Sequence, residues 1–252
     1  MDPVLPVRAL ATRLSIEFQK FVGKDVERDP SHVMPRIRSA MEQSGKIVFG
    51  EVHGNYSHAE FVSAFMPFAR AAGADRLYVE MFHQRNQKYI DAWQDGGDAG
   101  SIIWLMNRSP SFSVHMWQHF WNVLQAAHDN GLRIVTIEPD RKESVYPGME
   151  IFYRNMMWEN AIDADQKIKG GKAPYVVYCG AWHLDRSRCA GASPLHEMMK
   201  SAGVVLENGR YSLILPRRQA AAARMYVPTS PYQTPICLWP QLRGAQIQHT
   251  PS

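Results

Sequence analysis

Two apolar runs of the same kind, far apart in the chain, both end in the pattern Gly-x-x-His. The first is IVFGEVH, which ends at His53, and the second is VYCGAWH, which ends at His183. Apolar runs of this length beside a glycine are typical of strands buried in a parallel sheet. Because reactive groups collect just beyond the carboxyl ends of such strands, we expect the two histidines to face one crevice.

Strands and helices alternate around these two motifs. Predicted strands cover residues 46–51, 76–80, 133–138 and 175–180, and predicted helices cover residues 31–44, 58–72, 83–94, 112–130, 148–169 and 194–202. This alternation predicts an α/β fold with a mainly parallel central sheet and helices on both faces. Two further strands, 204–207 and 211–215, flank Asn208-Gly209, a hairpin signal that predicts an antiparallel edge near the C-terminus.

The composition indicates one ordinary globular core. The chain has 252 residues, of which 45% are hydrophobic and 21% charged, and these values fit a single domain. We predict a helical N-terminal arm over 1–45 that packs on the core, an α/β domain over 46–215, and a basic tail over 216–252. An amphipathic stretch over 7–22 supports the arm.

The excess positive charge lies in the tail. The formal net charge is +4, and the chain after Asn208 contains five arginines and no acidic residue. These arginines form no dense cluster with interleaved aromatic residues, so nucleic acid is not an expected partner. Three scattered cysteines, and the lack of a signal-like or membrane-spanning apolar run, predict a cytoplasmic protein without a transmembrane segment.

Ionisable residues follow the apolar part of four predicted strands. In chain order they are Glu51, His53, Glu80, Glu138, Asp140 and His183. Taken singly, each could merely cap a strand end, but together they lie where a doubly wound sheet has its crevice. We expect the two motif histidines, Glu51 and Glu80 to be catalytic, and the remaining two acids, with His58, to surround and support them.

Two chemistries fit this set. Two imidazoles and two carboxylates, from His53, His183, Glu51 and Glu80, can hold a divalent transition metal such as Mn, Co or Zn, whose bound water hydrolyses esters or amides. Without a metal, one histidine could act as a general base that a neighbouring carboxylate orients. Both chemistries need the same four residues, so the sequence leaves the choice open.

A polar pair, Arg154-Asn155, begins an amphipathic helical segment. An arginine at this position could reach the crevice and hold a carboxylate in two-pronged geometry, either that of Glu80 or that of a substrate. We therefore expect Arg154 and Asn155 to bind substrate.

The order of four segments, GEVHGN, LYVEMF, YRNMMWENA and VVYCGAWHL, resembles the TIKI-like superfamily. That superfamily includes TIKI proteases, erythromycin esterases, ChaN-like haem-binding proteins and a domain of some bacterial toxins, and paired GxxH motifs are its shared mark. The match covers about residues 46–204. It implies a sheet built from two related halves in which His53 and His183 converge, with Glu51 and Glu80 as the accompanying acids.

The resemblance implies more than one function. TIKI proteases are metal-dependent peptide hydrolases, erythromycin esterases use a histidine base without a required metal, and ChaN-like proteins bind haem, with tyrosine as a ligand type. We predict a hydrolase of an ester or amide bond that acts on a small molecule or a peptide. Haem binding is the alternative, favoured by ten tyrosines and thirteen methionines. A non-catalytic, toxin- or effector-like module is the third possibility, and the oligomeric state stays open.

Overall fold

The computed structural model describes residues 26–27, 30–53, 56–108, 114–140, 148–170, 173–189, 192–207 and 210–214. The amphipathic stretch over 7–22 and the tail over 216–252 lie outside these ranges, so the division into arm, domain and tail stays a prediction. Among the helices within the ranges, none has the length and apolar character that crossing a membrane requires.

The described elements alternate between strand and helix, as the sequence predicts. The strands are β1 Val26–Glu27, β2 Lys46–Glu51, β3 Arg76–His83, β4 Arg133–Glu138, β5 Tyr175–Gly180, β6 Ala202–Glu207 and β7 Arg210–Ile214. The helices are α1 Pro30–Ser44, α2 Tyr56–Ala71, α3 Gln87–Gln94, α4 Gly100–Arg108, α5 Val114–Asp129, α6 Glu150–Ile168 and α7 Leu195–Met198. Two short 3₁₀ turns, Gln84–Asn86 and Ala181–Leu184, follow β3 and β5.

The seven strands of the described residues belong to one sheet, in the order β1-β7-β6-β2-β5-β3-β4. The strands from β6 to β4 in this order run parallel, whereas β7 is antiparallel to both β6 and β1. The predicted α/β class, the mainly parallel sheet and the antiparallel edge near the C-terminus are therefore confirmed. The two motif strands, β2 and β5, are hydrogen-bonded neighbours with Glu51 opposite Gly180.

Helices cover the sheet on both faces, so the central strands are buried on both sides. Ile47 and Phe49 of β2 belong to the hydrophobic layer that contains Phe65 of α2. Val48, between them, belongs to the opposite layer with Trp158 of α6. Alternate residues of a strand point to opposite faces, which explains why the motif strands are continuously apolar rather than alternating.

The structure differs from the sequence prediction in a few elements. Helix α4 was not predicted, because the glycine-rich turn before it hides a helix that buries Ile102 and Met106 one turn apart. The predicted helix over 194–202 ends at Met198, since Lys200 adopts a left-handed φ of 52° and the Ser201 N–H bonds back to the His196 carbonyl. The two-residue strand β1 lies within the segment predicted to be a helical arm.

Candidate functional site

A hydrogen-bonded pair stands at the carboxyl end of β2. Nδ1 of His53 lies 3.1 Å from Oε1 of Glu51, and the second oxygen of Glu51 accepts a hydrogen bond from the Tyr178 hydroxyl. Burial alone would lower the pKa of His53, but the hydrogen bond to Glu51 and the charges of Glu80 and Glu51 outweigh it and raise the pKa. The carboxylate thus makes His53 a stronger base and fixes its ring.

The end of β5 lies against this pair. A Cβ atom on Gly180 would stand 3.1 Å from Nε2 of His53 and 3.4 Å from Oε2 of Glu80. The missing side chain therefore lets the imidazole and the second carboxylate approach the same point of the backbone. The His53 side chain keeps 28% of its surface exposed, so solvent and substrate can reach this group.

Glu80 lies on β3 and connects the separate parts of the site. Its Oε2 accepts the backbone N–H of Gly180 at 2.6 Å, and its Oε1 accepts a guanidinium N–H of Arg154 at 2.7 Å. Nε2 of His183 lies 3.5 Å from the same Oε1. Burial alone would raise the pKa of Glu80, but its interactions with His183 and Arg154 hold that pKa well below its usual range. Glu80 is therefore ionised at neutral pH.

His183 occupies the buried side of the site. Only 2% of its side chain is exposed, its Nδ1 lies 2.5 Å from Oδ1 of Asn155, and its ring stacks on Trp158 with centroids 4.0 Å apart. Burial lowers the pKa of His183, and the attraction of Glu80 offsets only part of that effect. The two motif histidines therefore share one site but differ in exposure and in the direction of their pKa shifts.

Arg154 joins two carboxylates rather than one. Its guanidinium donates to Glu80 at 2.7 Å and to Glu138 at 2.8 Å, and the Trp158 indole N–H donates to the same oxygen of Glu138 at 3.0 Å. Of the two carboxylates that the sequence suggests for Arg154, it contacts that of Glu80. With 30% of its side chain exposed, it also reaches the solvent side of the crevice.

Three other predicted residues have different surroundings. Asn155 is fully buried, and its amide contacts His183 and Cys189. Asp140 accepts the backbone N–H of Arg85 at 2.9 Å and so holds the turn after β3. His58 is buried in the first turns of α2. The contacts of Asn155 are those of a buried support for His183.

Sequence reasoning did not include Tyr178 or Trp158 in the site. Trp158 lies four residues after Arg154, so the two side chains share one face of α6. Tyr178 lies two residues before Gly180, the partner of Glu51 in the β2–β5 register, and therefore occupies the same face of the sheet. Helix periodicity and strand register were the signals that would have identified them.

The predicted metal ligands do not fit a metal centre as arranged. Both oxygens of Glu51 accept hydrogen bonds from His53 and Tyr178, and both oxygens of Glu80 accept from Arg154 and Gly180. A cation beside Glu80 would have to displace the guanidinium. Among the residues that the structure describes, no three His, Cys, Asp or Glu side chains are arranged to hold a metal ion.

Three solved structures share the fold by superposition. The type III effector HopBA1 has a TM-score of 0.52 and 16% identity over 73% of this chain and 92% of that one. RRSP, a MARTX toxin effector domain from Vibrio vulnificus CMCP6, has a TM-score of 0.54 and 18% identity over 73% and 37%. The C-terminal region of Pasteurella multocida toxin has a TM-score of 0.53 and 15% identity over 73% and 26%. The chain thus spans less than half of the latter two, and likeness at these identities establishes the fold alone.

The C-terminal region of the Pasteurella toxin is described with a thiol-protease-like catalytic triad. The two described cysteines of the present chain differ from a protease nucleophile in their burial and in their pKa. Cys179 and Cys189 are fully buried. Burial raises the pKa of Cys189 to about 11 and that of Cys179 well above its usual value. Neither thiol is therefore a ready nucleophile at neutral pH.

A family model gives the remaining comparison, since no curated protein sequence matches the chain. The model described as haem-binding uptake, Tiki superfamily, ChaN matches residues 37–145. That stretch contains strands β2, β3 and β4, with Glu51, His53 and Glu80, whereas the second motif lies beyond it. The match supports, over this stretch, the resemblance to the TIKI-like superfamily that the sequence motifs indicate.

Proposed function

We propose that the chain hydrolyses an ester or amide bond, with His53 as the general base that activates water. The observation that carries this proposal is the partly exposed imidazole of His53 with the Glu51 carboxylate 3.1 Å from its Nδ1. A carboxylate at Nδ1 orients the ring, leaves Nε2 to accept a proton, and stabilises the imidazolium that results. His183 is nearly sealed from solvent, so His53 is the better placed of the two histidines.

In the proposed reaction, His53 first accepts a proton from water and then returns it to the leaving group. Water attacks the carbonyl carbon while one of its protons passes to Nε2 of His53. The tetrahedral intermediate then breaks the bond to the alcohol or amine, which leaves with the proton that His53 returns. The products are a carboxylic acid and the protonated leaving group, and no other reactant is needed.

Arg154 is suited to the developing negative charge. Its guanidinium is partly exposed and is held by Glu80 and Glu138 from the inner side. A fixed cation at the mouth of a crevice stabilises an oxyanion without reorganisation in the transition state. We propose that Arg154 binds the substrate carbonyl oxygen. The sequence predicts that Arg154 contacts the substrate, and this proposal names the substrate atom.

The substrate class stays broad. A small-molecule ester and a peptide fit the proposed roles equally well. The toxin and effector structures share only the fold with this chain, so their targets do not indicate its substrate. Haem binding, favoured by the description of the matching family, is the second candidate. Against it, two of the buried tyrosines use their hydroxyls internally: Tyr178 donates to Glu51 and Tyr78 to Asp165. A haem titration that leaves the Soret band of free haem unchanged would remove this candidate.

The direct test compares His53→Ala with His128→Ala against p-nitrophenyl esters and fluorogenic peptides. His128 packs on Trp93 near the end of α5 and serves as the matched control. We expect His53→Ala to lose about 1,000-fold in kcat/KM, while the control and a chelator leave the rate unchanged. Full activity in His53→Ala would refute the assignment, and loss of activity with chelator would restore the metal-dependent mechanism.

A further inference from the structure

The hydroxyl of Tyr178 connects the two motif strands. Tyr178 lies opposite Phe49 in the register of β5 and β2, and Glu51 follows two residues later on β2, on the same face of the sheet. A long aromatic side chain can span such a diagonal to the neighbouring strand. The hydroxyl of Tyr178 accordingly donates its hydrogen to Oε2 of Glu51.

Aromatic packing fixes the ring of Tyr178. Tyr178 is 1% exposed, and its ring stacks on that of Phe120 from α5, with centroids 6.0 Å apart and an interplanar angle of 13°. Phe120 is held in turn, because its ring centroid lies 5.6 Å from that of Phe82 and 5.9 Å from that of Trp117. The hydroxyl of Tyr178 therefore has a defined position, and burial keeps it away from any substrate.

The Glu51 carboxylate needs such an anchor. The last torsion of a glutamate side chain is broad rather than confined to staggered wells, so the rotamer alone does not set the plane of the carboxylate. Glu51 is also buried, and a buried oxygen without a hydrogen-bond donor destabilises the fold. Tyr178 satisfies Oε2, and Oε1 then faces Nδ1 of His53 at 3.1 Å.

We infer that Tyr178 is a positioning residue for His53: its hydroxyl fixes the plane of the Glu51 carboxylate, and the carboxylate fixes the imidazole. Exposure increases along this line of groups, since 7% of the Glu51 side chain and 28% of the His53 side chain are exposed. The effect of Tyr178 on Glu51 is independent of any reaction, and only its effect on the rate rests on the proposed hydrolase function. Partners of this kind orient a reactive group without contacting the substrate.

Crystal structures of the wild-type chain and of Tyr178→Phe test the positioning directly. Phenylalanine keeps the ring and its packing, so we expect the same fold with the Glu51 carboxylate turned about its last torsion. The distance from Oε1 of Glu51 to Nδ1 of His53 should then exceed about 3.5 Å, the limit of a hydrogen bond. A carboxylate that keeps its wild-type plane in the variant would overturn the inference. A wild-type structure without the contact between Tyr178 and Glu51 would overturn it with no variant at all.

Tyr78 offers a matched control for the loss of a buried hydroxyl. It is also fully buried and donates to a carboxylate, Oδ2 of Asp165 at 2.8 Å, but it belongs to the hydrophobic layer on the opposite face of the sheet. We expect Tyr178→Phe to lower kcat about 10-fold to 100-fold with little change in KM. Tyr78→Phe should leave both constants unchanged. An equal fall of kcat in the two variants would assign the effect to general loss of rigidity and overturn the inference.

A double-mutant cycle shows whether Tyr178 acts through Glu51. We expect Tyr178→Phe to lower kcat in the wild-type chain and to have no further effect in Glu51→Ala, because the group that the hydroxyl positions is then missing. Falls of kcat that add in the double variant would overturn the inference.

The same measurements separate this inference from the hydrolase proposal. An active His53→Ala would refute the hydrolase proposal, and the crystal structures would still decide whether Tyr178 positions Glu51. An inactive His53→Ala together with wild-type kcat in Tyr178→Phe would do the opposite: it would overturn the positioning role and leave His53 as the base.

Discussion

Glu80, on β3, accepts a hydrogen bond at 2.6 Å from the backbone N–H of Gly180, at the end of β5. Strand β5 lies between β2 and β3 in the sheet. The bond therefore links the second Gly-x-x-His motif, which begins at the end of β5, to a carboxylate on β3, the neighbouring strand on the side away from the first motif. The site is thus built across three neighbouring strand ends, with α6 as its cover. Changes at any of these four elements should therefore affect the others.

The activity should depend on the pKa of His53. A base works in its neutral form, and the net effect of burial and of the charges of Glu51 and Glu80 is to raise that pKa above 6.5. We expect kcat/KM to rise with pH through an inflection above 6.5. Glu51→Gln removes the charge behind Nδ1, so its inflection should move to lower pH and its maximal rate should fall. A pH–rate profile between about pH 5 and 9 measures both; an inflection at the same pH in the variant would mean that another group titrates.

Gly180→Ala should impair activity more than stability. Its Cβ would lie 3.1 Å from Nε2 of His53, and the imidazole would have to move away from the reacting position. A displacement of this kind costs about 10-fold to 100-fold in kcat. Gly203→Ala is the contrasting variant, because its Cβ would lie 3.0 Å from His196 and from Leu184, within the core. It should lower the melting temperature and leave kcat unchanged; equal loss of kcat in both variants would contradict this reading.

Arg154→Met should destabilise the fold because it leaves two carboxylates without their shared cation. Glu80 and Glu138 are mostly buried, and the loss of one partner from a buried ion pair costs about 3 kcal/mol of unfolding free energy. Chemical denaturation measures this. The double variant Arg154→Met/Glu138→Gln should recover part of the loss, since one unpaired charge is removed with the arginine. Additive losses would show that the two residues are not energetically coupled.

His58 should make the protein sensitive to acid. Burial, only partly offset by the backbone of Val52, lowers its pKa from 6.5 to about 4. Between these values the unfolded chain binds a proton that the folded chain does not. The stabilising contribution is therefore complete above pH 6.5 and is lost as the pH falls through 4. We expect about 3 kcal/mol of pH-dependent unfolding free energy to disappear in His58→Leu; identical pH dependence in variant and wild type would contradict it.

Trp182 should contribute to substrate binding rather than to chemistry. It precedes His183 in the turn after β5, its side chain is 46% exposed, and the Arg188 guanidinium lies 4.6 Å from its ring centroid. Exposed apolar surface beside a reactive group favours contact with an apolar part of the substrate. Trp182→Ala should raise KM about 5-fold to 10-fold with kcat unchanged. A fall in kcat at constant KM would place Trp182 in the chemical step instead.

The sequence predicted the bounds of the strands better than the ends of the helices. The bounds of β2, β4 and β5 follow from short apolar runs that end at a charged residue or a glycine, and the structure gives the same bounds. Helix ends were less certain, as α7 shows, because one left-handed residue, Lys200, ends a helix that periodicity would continue.

The ionisable residues of the candidate site were easier to predict than the side chains that surround them. Strand ends indicated that His53, Glu80 and His183 would meet, since each follows a buried strand. The burial of Asn155 and the contact of Trp158 with His183 depend on how α6 rotates over the sheet, which periodicity alone does not fix. Metal binding and general-base chemistry need the same side chains, so only the hydrogen bonds already made by Glu51 and Glu80 distinguish them.

In the described part of the site, the carboxylates of Glu80 and Glu138 share the guanidinium of Arg154, and the carboxylate of Glu51 lies behind the His53 ring. With His53 neutral, these three carboxylates outnumber the one guanidinium, so we expect a net negative field that reaches roughly a Debye length, about 10 Å at moderate salt. Such a field should disfavour the approach of phosphate esters and other anions and favour that of cationic molecules. Added salt should therefore slow cationic substrates and speed anionic ones, so that selection by charge precedes recognition by shape.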